Sequence, residues 1–593
     1  MNYPKEKIRN IAIVAHIDHG KTTLVDSLLK QSHLFRDNQT IEERMMDSYD
    51  QEKERGITIF SKHTSIPYHD YKINIIDTPG HADFSGEVER VLGMVSSVLL
   101  LVDAQEGPMP QTRFVLSQAL KKGLLPLVVI NKIDRQHARP SFALEATFDL
   151  FFELGATDEQ LDFAHCYASG LSGFATKNLE DPRKDITPLF DFIIAHVPPP
   201  TGEETDPFLF QSTLLSYDDH VGRKACGRIL QGSVSKGDNV THIDNNGNTQ
   251  RATISRIEGH RGLQRVELEK ATTGDIVLLT GIREITIGDT LCDSNHETAL
   301  PPIHIGEPVV SIDISVNSSP LVGRSGKYVT MHTIRERLQR EQKMNISLHI
   351  DTSGEDVVTV CGRGELHLAV LLEAMRREGY EMSVGKPRVI LKTENEITLE
   401  PIEHVFVEVP DTFAGTIIEE LSKRKGVMQN LQATSRGTTE LEFHMPTRGL
   451  MGYRNLFLTM TKGQGILTSV FDHYAPHKGD IPTRHQGVLV ANNSGKATAY
   501  AAFNLQERGS LFVNPGDPVY EGMIVGEHNR DNDLSVNITR EKHLTNVRAA
   551  GSDENIILTP PRKFTLEQAI DYIQDDELVE ITPAAIRLRK KRK

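Results

Sequence analysis

The 593-residue chain carries 66 Lys and Arg against 81 Asp and Glu, a formal net charge of −15, with 38% hydrophobic and 25% charged residues. That length exceeds one hydrophobic core and predicts roughly four or five domains, while the acidic balance excludes a protein that coats nucleic acid non-specifically and leaves room for a local basic patch. No run of about 18 apolar residues exists, which excludes a transmembrane helix and a membrane partner. The polar start, Met1 to Asn10, lacks a signal-peptide core, and the scattered Cys166, Cys226, Cys292 and Cys361 form no C-x-x-C pair. Buried thiols in a reducing, cytoplasmic compartment are the expectation.

The first predicted element is the apolar run Ile11 to Val14, followed by Ala15-His16-Ile17-Asp18-His19-Gly20-Lys21-Thr22-Thr23 and an amphipathic run from Leu24 to Lys30. This is the strand, loop and helix of a phosphate-binding loop. Backbone N–H groups at a helix N-terminus hold phosphates, Gly20 permits close approach, Lys21 supplies charge and the Thr22 hydroxyl can ligate Mg²⁺. Ala15 stands where the usual motif has its first Gly. The polar stretch Arg36 to Glu54 reads as a loop. Strand Lys72 to Ile76 then delivers Asp77-Thr78-Pro79-Gly80-His81, in which Asp77 can hold the Mg²⁺ shell and Gly80 can offer its N–H to a γ-phosphate. Strand Ser97 to Val102 ends at Asp103, and strand Leu125 to Ile130 ends in Asn131-Lys132-Ile133-Asp134. The Asp134 carboxylate can accept from N1–H and the exocyclic amine of guanine, a donor pair that adenine lacks. Ala168-Ser169-Gly170 can support the base edge through backbone N–H groups. Four such elements in order predict a doubly wound α/β GTPase domain binding GTP and GDP.

Arg55-Gly56-Ile57-Thr58-Ile59 together with Asp77 to His81 resembles the translational GTPases and separates the chain from Ras-like proteins. The resemblance implies that Thr58 closes on Mg²⁺ and the γ-phosphate, and that His81 orients the attacking water. It also implies that Ile17 and Ile57 form an apolar gate and that Asp18 lies near the phosphates.

Val197-Pro198-Pro199-Pro200-Thr201-Gly202 predicts a stiff boundary. Short β runs with turns at Lys236 to Asp238, Asp244 to Asn248 and Thr273 to Asp275 then suggest a small β-barrel. Val221-Gly222-Arg223 and Gly232 to Asp238 resemble the second domain of elongation factors. Residues 307–391 and 400–478 each read as βαββαβ, with helices at Thr333 to Gln342, Glu365 to Glu378, Thr416 to Lys423 and Met451 to Thr461. These resemble the third and fifth domains of elongation factor G, with no counterpart of the intervening anticodon-mimicking domain. The expected domains are 1–200 (GTPase), 203–302 (β-barrel), 305–392 and 398–479 (ferredoxin-like βαββαβ), and a β-rich C-terminal domain at 480–593.

In that last domain, Val488 to Val490 and Ala497 to Phe503 flank a turn and suggest a hairpin. Thr565-Leu566-Glu567-Gln568 suggests a capping box opening a short helix. Arg540, Lys542, His543, Asn546 and Arg548 form a basic, polar stretch suited to RNA phosphates and base edges, or to a solvated loop. The basic tail from Arg587 to Lys593 reads as disordered, RNA-seeking or solubilising. With T-R-E-K-H-L-T-N-V-R-A-A-G at 539–551, the whole chain is similar to the BipA/TypA family, with the LepA family the nearest alternative. That resemblance implies a ribosome-binding, ribosome-stimulated GTPase linked to stress, low temperature and large-subunit assembly. Its partners would be the 70S ribosome, large-subunit rRNA and tRNA, with ppGpp as a ligand of the GTP pocket. The alternative reading is a nucleotide-sensing adaptor in which occupancy, not hydrolysis, sets ribosome affinity. Nothing demands an oligomer, so a monomer is expected.

Overall fold

The computed structural model describes residues 3–16, 18–32, 50–56, 58–79, 82–218, 222–303, 306–345, 347–433, 437–481, 484–541 and 557–591. The chain forms two compact units, 1–306 with 344–346, and 307–343 with 347–593.

In the first unit, strand β1 (Ile8–Ala15) is buried along its whole length, as expected of an apolar run covered on both faces of a parallel sheet. Its neighbours are β2 (Lys62–Tyr68), β3 (Tyr71–Asp77), β4 (Ser97–Asp103), β5 (Leu125–Asn131), β6 (His165–Ser169) and β7 (Phe174–Thr176), in the order β2-β3-β1-β4-β5-β6-β7. β3, β1, β4, β5 and β6 run parallel, with Ile13 beside Asp77 and Asp103 beside Asn131. Their C-terminal ends therefore bring the phosphate loop, Asp77, Asp103, Asn131 and Ser169 to one edge, where such sheets bind ligands. Helices cover both faces: Leu24, Leu28 and Phe190 pack on Ile13 and Val129, while Val88 and Leu116 pack on Val14 and Val128. β2, which no sequence signal marked, is an antiparallel edge strand. The stretch expected as a loop to Glu54 ends instead in a helix, Asp50–Arg55; residues 33–49 lie outside the described residues.

The β-barrel follows in the same unit, built on the long strand Gly222–Gln231, which pairs with Ile276–Thr280, Leu214–Asp218 and Leu209–Gln211. The turn at Asp244 closes as expected, its Oδ1 accepting the N–H groups of Asn246 (2.9 Å) and Asn248 (2.8 Å). Barrel and GTPase sheet share a core, since Cys226, Ile276 and Leu278 cluster with Val98 and Leu100. Polar ties seal the junction: Asn10 Nδ2 donates to the Gly274 carbonyl (2.8 Å), and Lys72 Nζ to Asp275 Oδ1 (2.5 Å).

The second unit holds two βαββαβ arrays. Strands Val310–Val316, His349–Asp351, Val357–Gly362 and Met382–Val384, taken first to fourth, lie in the order 2-3-1-4, and so do Ile397–Pro410, Val427–Ala433, Thr438–Pro446 and Ile466–Pro476. Met382–Val384 also pairs with Glu577–Ile581. The first array is thereby continuous with the C-terminal strands in an eleven-stranded sheet. Glu580 crosses this seam fully buried, accepting from Tyr520 Oη (2.6 Å), Ser319 Oγ (2.9 Å) and Arg587 Nη1 (3.0 Å).

Two expectations fail in the C-terminal segment. Ala499–Leu505 is a helix, capped by the Thr498 hydroxyl accepting from the Ala501 N–H (3.2 Å). An alanine-rich run behind a good N-cap residue favours helix over the hairpin read from its apolar character, and Val488–Ala491 pairs instead with Met523–His528 and Leu534–Val536. The basic tail is strand Ile586–Lys590, inserted between Met523–His528 and Glu577–Ile581. Acids neutralise two of its charges in place: Arg587 meets Glu580 (3.0 Å), while Lys590 meets Asp533 (2.7 Å), Asp576 (2.9 Å) and Glu577 (2.9 Å). The capping box at Thr565 forms as expected, opening helix Leu566–Tyr572.

Candidate nucleotide site

The phosphate loop is shaped by backbone conformations that its sequence permits. Gly20, at φ +93°, opens helix α1 (Lys21–Gln31), and a Cβ there would come within 2.7 Å of Asn131 Nδ2. Asp18 takes φ +69° with its side chain exposed, a left-handed turn that an Asp tolerates. Lys21, Thr22 and Thr23 sit in the first turn of α1, where the outward-pointing N–H groups of a helix start and the helix dipole favour phosphate. The His19 ring is fully buried. Its Nδ1 accepts from the Asp103 N–H (3.4 Å) and its Nε2 faces Glu106 (3.5 Å), so His19 reaches the loop surface only through its backbone. Burial, reinforced by His19, lowers the neighbouring His16 imidazole to about 3.

At the end of β3, the Asp77 carboxylate is 1% exposed and pairs with Lys21 Nζ at 2.6 Å. The Thr58 hydroxyl, itself buried, donates to Asp77 Oδ2 at 3.4 Å. Thr58 and Asp77 are thus brought together beside Lys21, which Thr22 directly follows; their oxygens are an all-oxygen set of the hard-ligand type that suits Mg²⁺. Gly80 and His81, with Ile17 and Ile57, lie outside the described residues.

Sequence reasoning missed what holds Thr58 in place. Helix α2 (Asp50–Arg55) presents Glu52, whose carboxylate is fully buried. Its Oε1 accepts the Ile59 N–H (2.9 Å) and the Phe60 N–H (3.1 Å), and its Oε2 pairs with Lys62. Glu87 takes the next donor, the Ser61 N–H, at 2.8 Å. No spacing rule marks these acids; the only sequence signal is an acid embedded in a segment that must turn sharply into β2.

Asn131 joins the two halves of the site. Its Nδ2 donates to the His19 carbonyl (2.8 Å) and its Oδ1 accepts the Gly170 N–H (3.0 Å). The phosphate loop and the loop after β6 are therefore fixed by one side chain that is 1% exposed. The Gly170 N–H expected at the base edge is committed to this bond, and the buried Ser169 hydroxyl accepts the Ser172 N–H (3.1 Å). Lys132, at φ +63°, pairs with Asp103 at 2.6 Å. Burial works to raise the Asp103 carboxyl, but the Lys132 and Gln105 hydrogen bonds hold it below the usual range. Asp134 is exposed.

Residues 6–199 match the elongation factor Tu GTP-binding domain, 222–292 elongation factor Tu domain 2, 397–485 the elongation factor G C-terminus and 486–593 the TypA/BipA C-terminal domain. The chain is 50% identical over 588 residues to the large ribosomal subunit assembly factor BipA of Escherichia coli K12, covering 99% of this chain and 97% of that one. The chain belongs to the BipA family. The BipA of Haemophilus influenzae is 52% identical over 589 residues (99% of this chain, 96% of that one), and that of Synechocystis 50% over 584 (98% of each). A crystal structure of a Thermus thermophilus protein shares the fold, with a TM-score of 0.56 at 17% identity over 80% of this chain and 98% of that one. As a member of the BipA family, the chain carries a GTPase domain that binds GTP and GDP. Of the expected RNA-binding residues, Arg540 is exposed and its carbonyl accepts from the Thr498 hydroxyl (2.5 Å); Lys542, His543, Asn546 and Arg548 lie outside the described residues.

Proposed function

We propose that this chain is a cytoplasmic, monomeric GTPase that acts on the ribosome, serves assembly of the large subunit under stress or low temperature, and is stimulated by ribosome docking. The observation that carries this reading is the convergence of Lys21, Thr58 and Asp77 at the sheet edge that also holds the Asn131-fixed base loop. The near full-length relatives named large ribosomal subunit assembly factors support the ribosomal part.

In this account the α1 N-terminus and Lys21 hold the β- and γ-phosphates, while Asp134 selects guanine. Thr22, Thr58 and Asp77 would hold Mg²⁺, which neutralises charge developing on the phosphate oxygens. Thr58, fixed through Glu52, and the Gly80 N–H report the γ-phosphate. His81 orients the attacking water once docking sets its ring, which makes turnover slow off the ribosome. Arg540, Lys542, His543, Asn546 and Arg548 contact tRNA and large-subunit rRNA, and ppGpp competes for the guanine pocket. The test is His81→Ala: ribosome-stimulated turnover should be lost with GTP affinity kept within a few-fold, and loss of nucleotide binding instead would contradict the role assigned to His81.

A further inference from the structure

Strand Gly222–Gln231 carries Arg228 to the junction of the barrel and the GTPase core, where it lines a cavity of about 500 Å³. That is the size of a small-molecule site rather than a packing defect. Gln118, Lys122 and Glu89 line it from the GTPase side, and Gln211 and Thr213 from the barrel. Met94 and Pro302 supply an apolar wall.

The cations here are unequally served. Arg90 is committed to the Gly86 carbonyl (2.9 Å) and lies near Glu87 (3.9 Å). Arg228 has no hydrogen-bond or ion-pair partner among the described residues, and burial lowers its pKa with no acid offsetting the cost. Glu89 is thus not its counter-ion. Lys122 Nζ donates to a neutral group, the Glu89 carbonyl (3.2 Å), and the Gln118 amide has no partner among the described residues. A partly desolvated guanidinium without a carboxylate carries a desolvation cost that a bound anion would offset. Its planar fork is the group best matched to an oxyanion.

We infer that this cavity is a second ligand site, taking a small multivalent oxyanion of mononucleotide size, phosphate or carboxylate, with Arg228 as its anchor. Lys122 and Gln118 supply the remaining donors, and the Met94–Pro302 wall accommodates an apolar body. None of these residues belongs to the nucleotide pocket, so the two sites can be filled together.

The test uses the full chain saturated with GDP, titrated calorimetrically with pyrophosphate and with citrate at low salt. Binding in about the millimolar range or tighter is expected for at least one of them, weakened about tenfold or more in Arg228→Gln. Pyrophosphate alone would mark a phosphate ligand, citrate alone a carboxylate ligand. Without anion, Arg228→Gln should melt no lower than the parent, since it removes an unpaired charge. If that variant does not fold, the double variant Lys122→Gln with Gln118→Leu serves, with weakened binding expected. No heat with either anion, or affinity unchanged in these variants, overturns the inference.

Discussion

Glu52→Ala isolates the link between a buried carboxylate and the threonine it positions. The substitution removes the acceptor of two buried N–H groups, those of Ile59 and Phe60, and strands Lys62. Hydrogen bonds to a charged group contribute about 1.5–3 kcal/mol each, so the local ordering of the Thr58 segment should weaken by about 3–6 kcal/mol. Each 1.4 kcal/mol is about tenfold in a population, so the ordered form should fall on the order of a hundredfold or more. The damage stays local, because Glu52 touches neither the phosphate loop nor Asn131 in any hydrogen bond described above. Single-turnover GTP hydrolysis with saturating ribosomes should therefore drop about a hundredfold, while GDP affinity, read with a fluorescent analogue, stays within about threefold. Glu52→Gln keeps an oxygen acceptor for both N–H groups and should recover much of the loss. Turnover within about threefold of the parent in Glu52→Ala would refute the reasoning, since Thr58 would then be held by something else.

Asn131→Ala severs the bonds to the His19 carbonyl and the Gly170 N–H; affinity for GDP and GTP should fall together by about 10–100-fold, measured by equilibrium fluorescence titration. Glu580→Ala should lower the melting temperature of the full chain, costing about 3–5 kcal/mol, because it leaves the Arg587 charge and the Tyr520 and Ser319 hydroxyls without their buried acceptor. Stability should also depend on two half-buried histidines at the barrel junction, His63 and His260, whose rings lie 4.4 Å apart. Burial, then His260, holds His63 well below 6.5, and burial, then Arg265 and Lys72, holds His260 at about 4. The unfolded chain then binds more protons than the folded one between about pH 4 and 6.5, so this stability is full above pH 6.5 and is lost as pH falls, by up to about 1.4 kcal/mol per pH unit for each group. Denaturant unfolding at pH 7, 6 and 5 should show that slope, and His63→Gln should flatten it; an unchanged slope in the variant would assign the effect elsewhere.

The placement of Gly20, Lys21, Asp77 and Asn131 was legible because it is tied to local sequence, whereas Gly80 and His81 lie outside the described residues. Gly20 must accept a left-handed turn, Asp77 and Asn131 must end parallel strands, and these are short-range facts. Glu52 and Glu87 were not legible, since each acts on backbone N–H groups that only the folded turn into β2 brings near. The two βαββαβ element orders were legible in the sequence, but the union of the first array with the C-terminal strands was not: the pairing of Met382–Val384 with Glu577–Ile581 joins residues almost two hundred positions apart. The basic tail misled for the same reason. Its charges look like a solvent-facing run until Asp533, Asp576, Glu577 and Glu580 are seen around it. Ala499–Leu505 departs from the hairpin expected there because a Thr cap and alanines outweigh the turn signal before an apolar run.

The measurement that bears most directly on the proposed activity is steady-state GTP turnover by the full chain with and without 70S ribosomes at matched, moderate salt. Slow turnover alone and stimulation of about tenfold or more with ribosomes is the expected result. Tight ribosome binding with turnover that stays flat would contradict it.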